Sequence, residues 1–384
     1  MQTRLGLMAL SKLKNTGGAA QKRKPSEKSK VQIKSSLFEL RSFESRKKDH
    51  IRESLKQRVQ ALGRSDLDNV YLLHEALPEL NFSEINIQSE FLDQKLSVPF
   101  FISSMTAGHK DGHKINQRLA ELSHDRQILM GVGSQRRELM DQQAQKEWKR
   151  LRRFAPKALL LGNIGLAQLI QSPIDDVLRL IENTEALGFF VHTNPLQEVL
   201  QKEGTTDFRG GLQKLEALVK QAQVPIILKE VGCGFSASTL QRLSDTGVYA
   251  VDVAGLGGTH WGRLEGYRHS MDSSLYKVAR TFANWGISTV QSVLNAKKSS
   301  VKYQVWASGG LRNGLDVAKV LSLGADKAGM ALPFLQAALQ GDKALHELVD
   351  RVATELKVAL FCTGSESIRA FQDKKVWTYE KKCQ

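Results

Sequence analysis

From about residue 98 onward, short apolar and β-branched runs alternate with amphipathic stretches, the pattern of repeated strand–helix units around a parallel sheet. There are eight such runs: Val98–Thr106, Ile128–Ser134, Ala158–Gly165, Phe189–Asn194, Pro225–Val231, Val248–Gly255, Val305–Gly310 and Ala328–Leu332. Between them lie helical patterns such as Lys114–Asp125, Gln142–Phe154, Ile174–Leu187, Gly211–Gln221, Ser236–Thr246 and Leu315–Leu323. A parallel strand covered on both faces is continuously apolar rather than alternating, and Val-Pro-Ile-Ile-Leu from Val224 to Leu228 is of that kind. Eight units in series favour closure, so the expected fold is α/β, a single (β/α)8 TIM-type barrel. An open doubly wound sheet would call for a G-x-G-x-x-G turn after the first strand, and the stretch from Ser103 to Gly108 is not one.

This pattern divides the chain. Residues 1–40 are expected to be a basic, mobile N-terminal extension, because they carry Gly17-Gly18 and Pro25 and lack sustained apolar periodicity. Residues 41–97 are expected to pack on the barrel, residues 98–372 to form it, and residues 373–384 to be a C-terminal tail. The net charge of +15 would point to a polyanionic partner if it lay on one folded face, but residues 1–41 alone hold ten Lys or Arg against Glu27 and Glu39. With aromatics at only 7%, no nucleic-acid partner is expected. No run is long and apolar enough for a membrane span, and no secretory leader pattern opens the chain. Cys233, Cys362 and Cys383 are widely spaced, outside any disulfide or zinc pattern, which suits a reducing cytoplasm.

Active sites of such barrels are assembled at the C-terminal ends of the strands. The polar residues there are Ser104 and Thr106; Ser134, Gln135 and Arg136; Asn163; His192, Asn194, Gln197 and Glu198; Lys229 and Glu230; Asp252 and Thr259; Gly309, Gly310 and Arg312; and Ala331 closes the series. Paired glycines after the seventh run let backbone N–H groups approach an anion, and the helix that follows adds its positive end. Loops after strands seven and eight are the usual phosphate site of barrel enzymes, although the same residues also suit a tight turn without a ligand. Gly255 to Thr259 forms a second glycine cluster after the sixth run. Lys229 closes an apolar strand, where burial would demand an anionic partner; exposure at the surface is the alternative. Arg46-Lys47-Lys48-Asp49-His50 precedes the barrel as a cationic arm able to fold over its mouth.

At His192-Thr193-Asn194-Pro195-Leu196-Gln197-Glu198, followed by Glu203 to Phe208, the sequence resembles type 2 isopentenyl diphosphate isomerase, the FMN-dependent family. Further matches fall in the family's order: Arg46 to His50, Leu73 to Glu79, Met105 to Gly108, Gly131 to Arg136, Asn163 to Gly165, Lys229 to Gly232, Gly257 to Thr259, Ala307 to Gly310 and Gly329 to Ala331. The resemblance spans about residues 44–370. It implies interconversion of isopentenyl and dimethylallyl diphosphate with reduced FMN and Mg²⁺, with NADPH as reductant and no net oxidation. It also implies a homo-oligomer, a tetramer or octamer. Carried over by position, Ser104, Met105, Thr106, Ser134, Asn163, Lys229, Thr259, Gly309, Gly310, Leu311, Arg312, Ala331 and Leu332 would hold FMN. Arg46, Lys47, Ser134, Gln135, Arg136 and Gln197 would meet the diphosphate substrate, Glu198 would hold Mg²⁺, and Gln197, His192 and Asn194 would serve catalysis. Thr193, Leu311 and the basic extension depart from the family pattern. The rival expectation on the same barrel is an FMN-dependent 2-hydroxy acid oxidoreductase, which calls for a His base and carboxylate-binding Arg residues near strand seven.

Overall fold

The computed structural model describes residues 46–105 and 110–380. The basic extension 1–40, Thr106 and the last residues of the tail lie outside the described residues. Strand β1 (Val70–Leu72) and the hairpin β2 (Ser89–Phe91) and β3 (Gln94–Leu96) precede eight parallel strands. These are β4 (Phe100–Ile102), β5 (Leu129–Gly131), β6 (Leu159–Gly165), β7 (Gly188–Thr193), β8 (Ile226–Glu230), β9 (Ala250–Asp252), β10 (Gln304–Ser308) and β11 (Lys327–Met330). They close into a barrel when β11 pairs with β4, Phe101 opposite Gly329. Each of the eight apolar runs overlaps one of these strands, with β7, β10 and β11 starting one residue before their runs, so the expected barrel is the observed one.

The helices α1 (Lys110–Arg126), α2 (Gln142–Phe154), α3 (Leu166–Gln171), α4 (Ile174–Thr184), α5 (Pro195–Leu200), α6 (Gly211–Gln221) and α7 (Ala237–Leu243) connect successive strands from β4 to β9. Three helices, α8 (Trp261–Arg268), α9 (Ser274–Thr281) and α10 (Thr289–Lys298), fill the long connection from β9 to β10. Helix α11 (Gly314–Ser322) joins β10 to β11, and α12 (Leu332–Gln340), α13 (Asp342–Phe361) and α14 (Ile368–Asp373) complete the set. The chain then returns as β12 (Trp377–Tyr379), antiparallel to β1, which ties the end of the tail to the segment before the barrel.

The core is layered as a barrel requires. Inward-facing Phe101, Leu129, Leu159, Leu161, Phe190, Ile227 and Trp306 form one buried cluster, into which the β2–β3 hairpin inserts Phe91 and Leu96. Phe91 meets Trp306 edge-on at 5.8 Å and Tyr249 at 5.6 Å, so an aromatic plug seals the N-terminal end. Lys327, buried at the start of β11, donates to the Glu90 carbonyl at 2.6 Å and fixes the hairpin. The opposite rim is left polar and open for chemistry.

Residues 46–54 are helical and lead to that rim. Gln60 forms an isolated antiparallel bridge with Thr259, and Ala61 N–H donates to Gly258 O at 2.8 Å. The segment before the barrel is thereby anchored to the glycine cluster after β9.

Candidate active site

The rim of the barrel gathers residues from both ends of the chain. Lys47, His50, Ile51 and Ser54 from the helical segment line one cleft with Ser104 and Met105 after β4, Thr259 and Trp261, and Ala331 and Leu332 after β11. The cationic arm expected to cover the mouth therefore faces five of the residues expected to hold a cofactor.

Two glycine loops form the adjoining wall. Gly309 and Gly310 have φ of +100° and +90°, and a Cβ on Gly310 would lie 2.7 Å from the Gly257 carbonyl oxygen. Only glycine lets the loops after β9 and β10 approach backbone to backbone in this way. Thr289 at the start of α10 donates to Gly309 O at 2.6 Å and locks the turn. Leu311 turns its side chain into the core, which leaves its backbone for the loop. Arg312 donates to Gln60 Oε1 at 3.0 Å, while Gln60 Nε2 donates to Thr259 Oγ1 at 3.1 Å. The buried hydroxyls of Ser103 and Ser104 have no hydrogen-bond partner.

Lys229 is buried at the end of β8, but its counter-charge comes from within the barrel. Its ammonium donates to Asp252 Oδ2 at 2.6 Å and to Ser308 Oγ at 3.0 Å, and Ser308 donates to Asp252 Oδ1 at 2.8 Å. Glu230, next in sequence, accepts the N–H groups of Val231 and Gly232 at 2.7 Å each and that of Cys233 at 2.5 Å. Burial nonetheless pushes its carboxyl up to about 7.

The loops after β5 and β7 supply the charged half. Arg46 is buried, and burial followed by the charge of Arg136 lowers its pKa. Lys47 is lowered to about 8 by burial and then by Arg46, with Arg136 adding to the same effect. Three cations thus stand close together in a single place, with Glu203, Glu138 and Glu265 partly offsetting their charge. Glu198, on the first turn of α5, looks onto the same cations; burial raises its pKa, against the Thr205 N–H at 2.7 Å and the charges of Arg136 and Arg46.

Several expected site residues prove to be engaged in holding the scaffold. Gln135 is fully buried: its Oε1 accepts from Asn163 N–H at 3.0 Å and its Nε2 donates to Thr184 Oγ1 at 2.7 Å, so its side chain binds the protein rather than facing the cleft. Asn194 caps α5, accepting Gln197 N–H at 2.8 Å, and Pro195 follows at the first helical position. Its buried Nδ2 has no partner. Asn163 donates to Val132 O at 3.0 Å, which fixes its amide so that Oδ1 accepts Nδ1–H of His192 at 2.8 Å. Burial, then the charges of Lys47 and Lys229, lower His192 to about 3. The imidazole is therefore neutral, with Nε2 left as an acceptor.

Sequence reasoning missed Glu265, the hub of the rim. Fully buried on α8, it accepts from His50 Nε2 at 2.9 Å, Arg268 Nη1 at 2.6 Å and Gln197 Nε2 at 3.3 Å. Gln201 spans the space from Arg46 Nη1 at 3.0 Å to Glu265 Oε1 at 3.3 Å. Burial alone would raise the Glu265 carboxyl, but His50 and Arg268 outweigh it and hold it at about 2. Its only sequence signal is a lone acid inside a helix.

Residues 180–378 match the FMN-dependent dehydrogenase family. The chain is 62% identical over 338 residues to an isopentenyl-diphosphate delta-isomerase of Bdellovibrio bacteriovorus, covering 87% of this chain and 97% of that protein. It is 49% identical over 336 residues to the enzyme of that name from Legionella pneumophila strain Corby, covering 88% and 98%. With the counterpart from Nostoc sp., identity is 42% over 327 residues, covering 85% and 93%. Among solved structures, a flavocytochrome b2 variant superposes with a TM-score of 0.62 at 18% identity, covering 89% of this chain and 86% of that one. A mandelate oxidase variant with 2-hydroxy-phenylacetamide gives 0.59 at 14% identity, covering 89% and 98%. At these identities the two structures speak for the fold alone. The barrel and the near full-length match to curated relatives together place the chain in the isopentenyl-diphosphate delta-isomerase family, on the FMN-dependent dehydrogenase fold.

Proposed function

We infer that the protein is an FMN-dependent isopentenyl-diphosphate delta-isomerase, interconverting isopentenyl and dimethylallyl diphosphate. The observation that carries this reading is the meeting of two unlike half-sites on one rim of the barrel, with Lys47 and Ser104 lining the same cleft. On one side stand glycine loops and orphaned hydroxyls that suit a phosphorylated ring cofactor; on the other, Arg46, Lys47 and Arg136 crowd together beside Glu198.

The residues fit FMN. The unpartnered hydroxyl of Ser104 offers a donor at the cleft, and the paired glycines set the loops after β9 and β10 side by side at the rim. The FMN contacts are assigned to Ser104, Met105, Thr106, Ser134, Asn163, Lys229, Thr259, Gly309, Gly310, Leu311, Arg312, Ala331 and Leu332. Bound in reduced form, with NADPH as the electron source, FMN supplies a proton-transferring group and an electron-rich face beside the alkene.

The chain's own residues do the remainder. Arg46, Lys47 and Arg136 bind the diphosphate and so provide binding energy remote from the reacting carbons. A diphosphate there relieves the mutual repulsion of those cations. Glu198 is assigned to Mg²⁺; among the described residues no cluster of three potential ligands exists, so the ion would complete its shell with substrate oxygens and water. Gln197, tethered to Glu265, orients the substrate alkene. His192, kept neutral by burial and by Lys47 and Lys229, serves as a hydrogen-bonding group rather than as a base. The helical segment along the rim screens the cleft from water. No helix of the described residues is long and apolar enough to cross a membrane. Assembly as a tetramer or octamer in the cytoplasm is part of the same proposal.

Anaerobic incubation with isopentenyl diphosphate, Mg²⁺, FMN and NADPH tests the activity. Dimethylallyl diphosphate should form without net consumption of NADPH. A protein that binds reduced FMN yet yields none, while oxidising a 2-hydroxy acid, would overturn the reading. For the metal, Glu198→Gln should raise the Mg²⁺ requirement while sparing FMN binding; unchanged Mg²⁺ kinetics would refute that assignment.

A further inference from the structure

Helix α8 has two working faces. Trp261 and Glu265, four residues apart, face the cleft described above. Arg263 and Tyr267, also four apart and on the opposite side of the helix, open onto a separate cavity of about 270 Å³. Tyr276 and Arg280 of α9 face them across it, and Arg58 and Asn284 complete the charged and polar lining. The two helices meet closely because Gly266 lies against Ala279, where a Cβ would come within 2.6 Å of the Ala279 methyl carbon.

The charge balance of this cavity is one-sided, since none of its lining residues is a carboxylate. Arg263 is held by oxygen dipoles alone: it donates to Ala283 O at 2.6 Å, to Gln60 O at 2.7 Å, and to Asn284 Oδ1. Burial and the neighbouring charges of Arg64 and Arg280 lower its pKa. Arg280 donates to Tyr267 Oη at 3.0 Å, which leaves the phenolic proton free to point at a ligand. Arg58 stacks 4.3 Å over the Tyr267 ring and is held to Glu53 at 2.5 Å, but Glu53 also serves Lys56 at 2.7 Å and Arg52 at 3.4 Å. With Arg52 paired more closely to Asp49 at 2.8 Å, Glu53 is shared chiefly between Arg58 and Lys56, which leaves Arg58 only partly neutralised.

Half-buried Arg263 and the more exposed Arg58 and Arg280 line one concave, polar site, and their guanidinium donors match the oxygens of a phosphoryl group. The volume lies below the roughly 300–1,000 Å³ of drug-sized ligand sites, so the occupant is small. We propose that the cavity between α8, α9 and Arg58 is a second oxyanion site, separate from the catalytic cleft, that binds a phosphate- to diphosphate-sized group. Its state bears on catalysis through Arg263, which holds Gln60, whose side chain in turn holds Thr259 and Arg312.

The experiment is equilibrium dialysis of labelled inorganic diphosphate against the full-length FMN-loaded protein without Mg²⁺. Two ions per chain are expected for the wild type. Arg136→Gln should remove the cleft ion and keep the second. Arg280→Gln, at an exposed position, should weaken the second at least tenfold and keep the first, with FMN content and steady-state kinetics at low anion concentration unchanged. A wild type with no ion sensitive to Arg280→Gln and to Arg58→Gln would overturn the proposal; a single ion lost on either substitution would instead overturn the cleft assignment. Crystals soaked in tungstate provide a check independent of folding of the variants: anomalous density among Arg58, Arg263 and Arg280 is expected, and its absence counts against the site.

Discussion

Replacing Asp252 with Asn isolates the charge buried beneath the rim. Asp252 is fully buried and Lys229 nearly so, with 2.6 Å between ammonium and carboxylate. At an effective dielectric of about 20, their attraction is about 6 kcal/mol, set against a desolvation cost of several kcal/mol per ion. The pair itself is therefore close to neutral in its net contribution. Removing one member leaves the other's desolvation uncompensated, and Ser308, at 3.0 Å from Lys229, is a weak substitute. Asp252→Asn should thus cost about 3–5 kcal/mol of stability. Lys229→Met should cost less, because the orphaned carboxylate keeps the Ser308 hydroxyl and the Ala254 N–H at 3.3 Å.

The double variant Asp252→Asn/Lys229→Met removes both charges and should recover most of the loss. Urea unfolding of FMN-free protein measures all three, so that cofactor affinity does not enter the comparison. A coupling energy of at least 2 kcal/mol is expected between the two sites. Additive effects, or an Asp252→Asn loss below about 1 kcal/mol, would refute the argument that these charges are held in a dry environment.

Other expectations follow from the same geometry. His192 is lowered from 6.5 to about 3. The unfolded chain therefore takes up a proton that the folded one refuses, and stability falls as pH drops through that window. His192→Gln should narrow the stability loss between pH 7 and 4 by about 3 kcal/mol, read by urea unfolding at each pH; parallel curves for variant and wild type would contradict it. Glu265, held at about 2 against its ordinary 4.5, contributes stability that is complete above pH 4.5 and lost as pH falls toward 2. At neutral pH Glu265→Gln should lower kcat by up to about 100-fold through misplacement of Gln197, with a smaller change in KM; the reverse split would make it a binding residue. Gly310→Ala forces a Cβ onto the Gly257 carbonyl at φ +90° and should cost about 1–3 kcal/mol together with FMN affinity, and unchanged flavin-fluorescence titration would dismiss the cradle.

The barrel was legible because each of its strands is covered on both faces. Ile226 to Leu228 is apolar without alternation since it faces the interior plug on one side and helices on the other. The stretch from Gly255 to Val305 was not legible as helix. Gly262 and Gly266 in α8 look like breakers, yet each is a point of close packing: a Cβ on Gly262 would come 2.8 Å from Leu196 Cδ2, and one on Gly266 would strike Ala279. Local propensity was overridden there by contacts that no local window contains.

The site shows the same division between what lies along the chain and what folding brings together. Glycine loops and strand-end polar residues are local features, and they could be read in order. Partnership is not local. Lys229 looked like a cation in search of a ligand anion, but its partners Asp252 and Ser308 come from the two strands that follow. Gln135, one residue from Arg136, points into the protein because the loop after β5 turns back toward Asn163 and Thr184. Glu265 meets His50 across 215 residues of sequence. In a barrel, consecutive strand ends sit side by side, so a charge at one is most often answered by its neighbours before any ligand arrives. Arg46 and Lys47 differ from Lys229 in having cations as well as carboxylates for neighbours, so an added oxyanion relieves repulsion there but would only compete with Asp252 at Lys229.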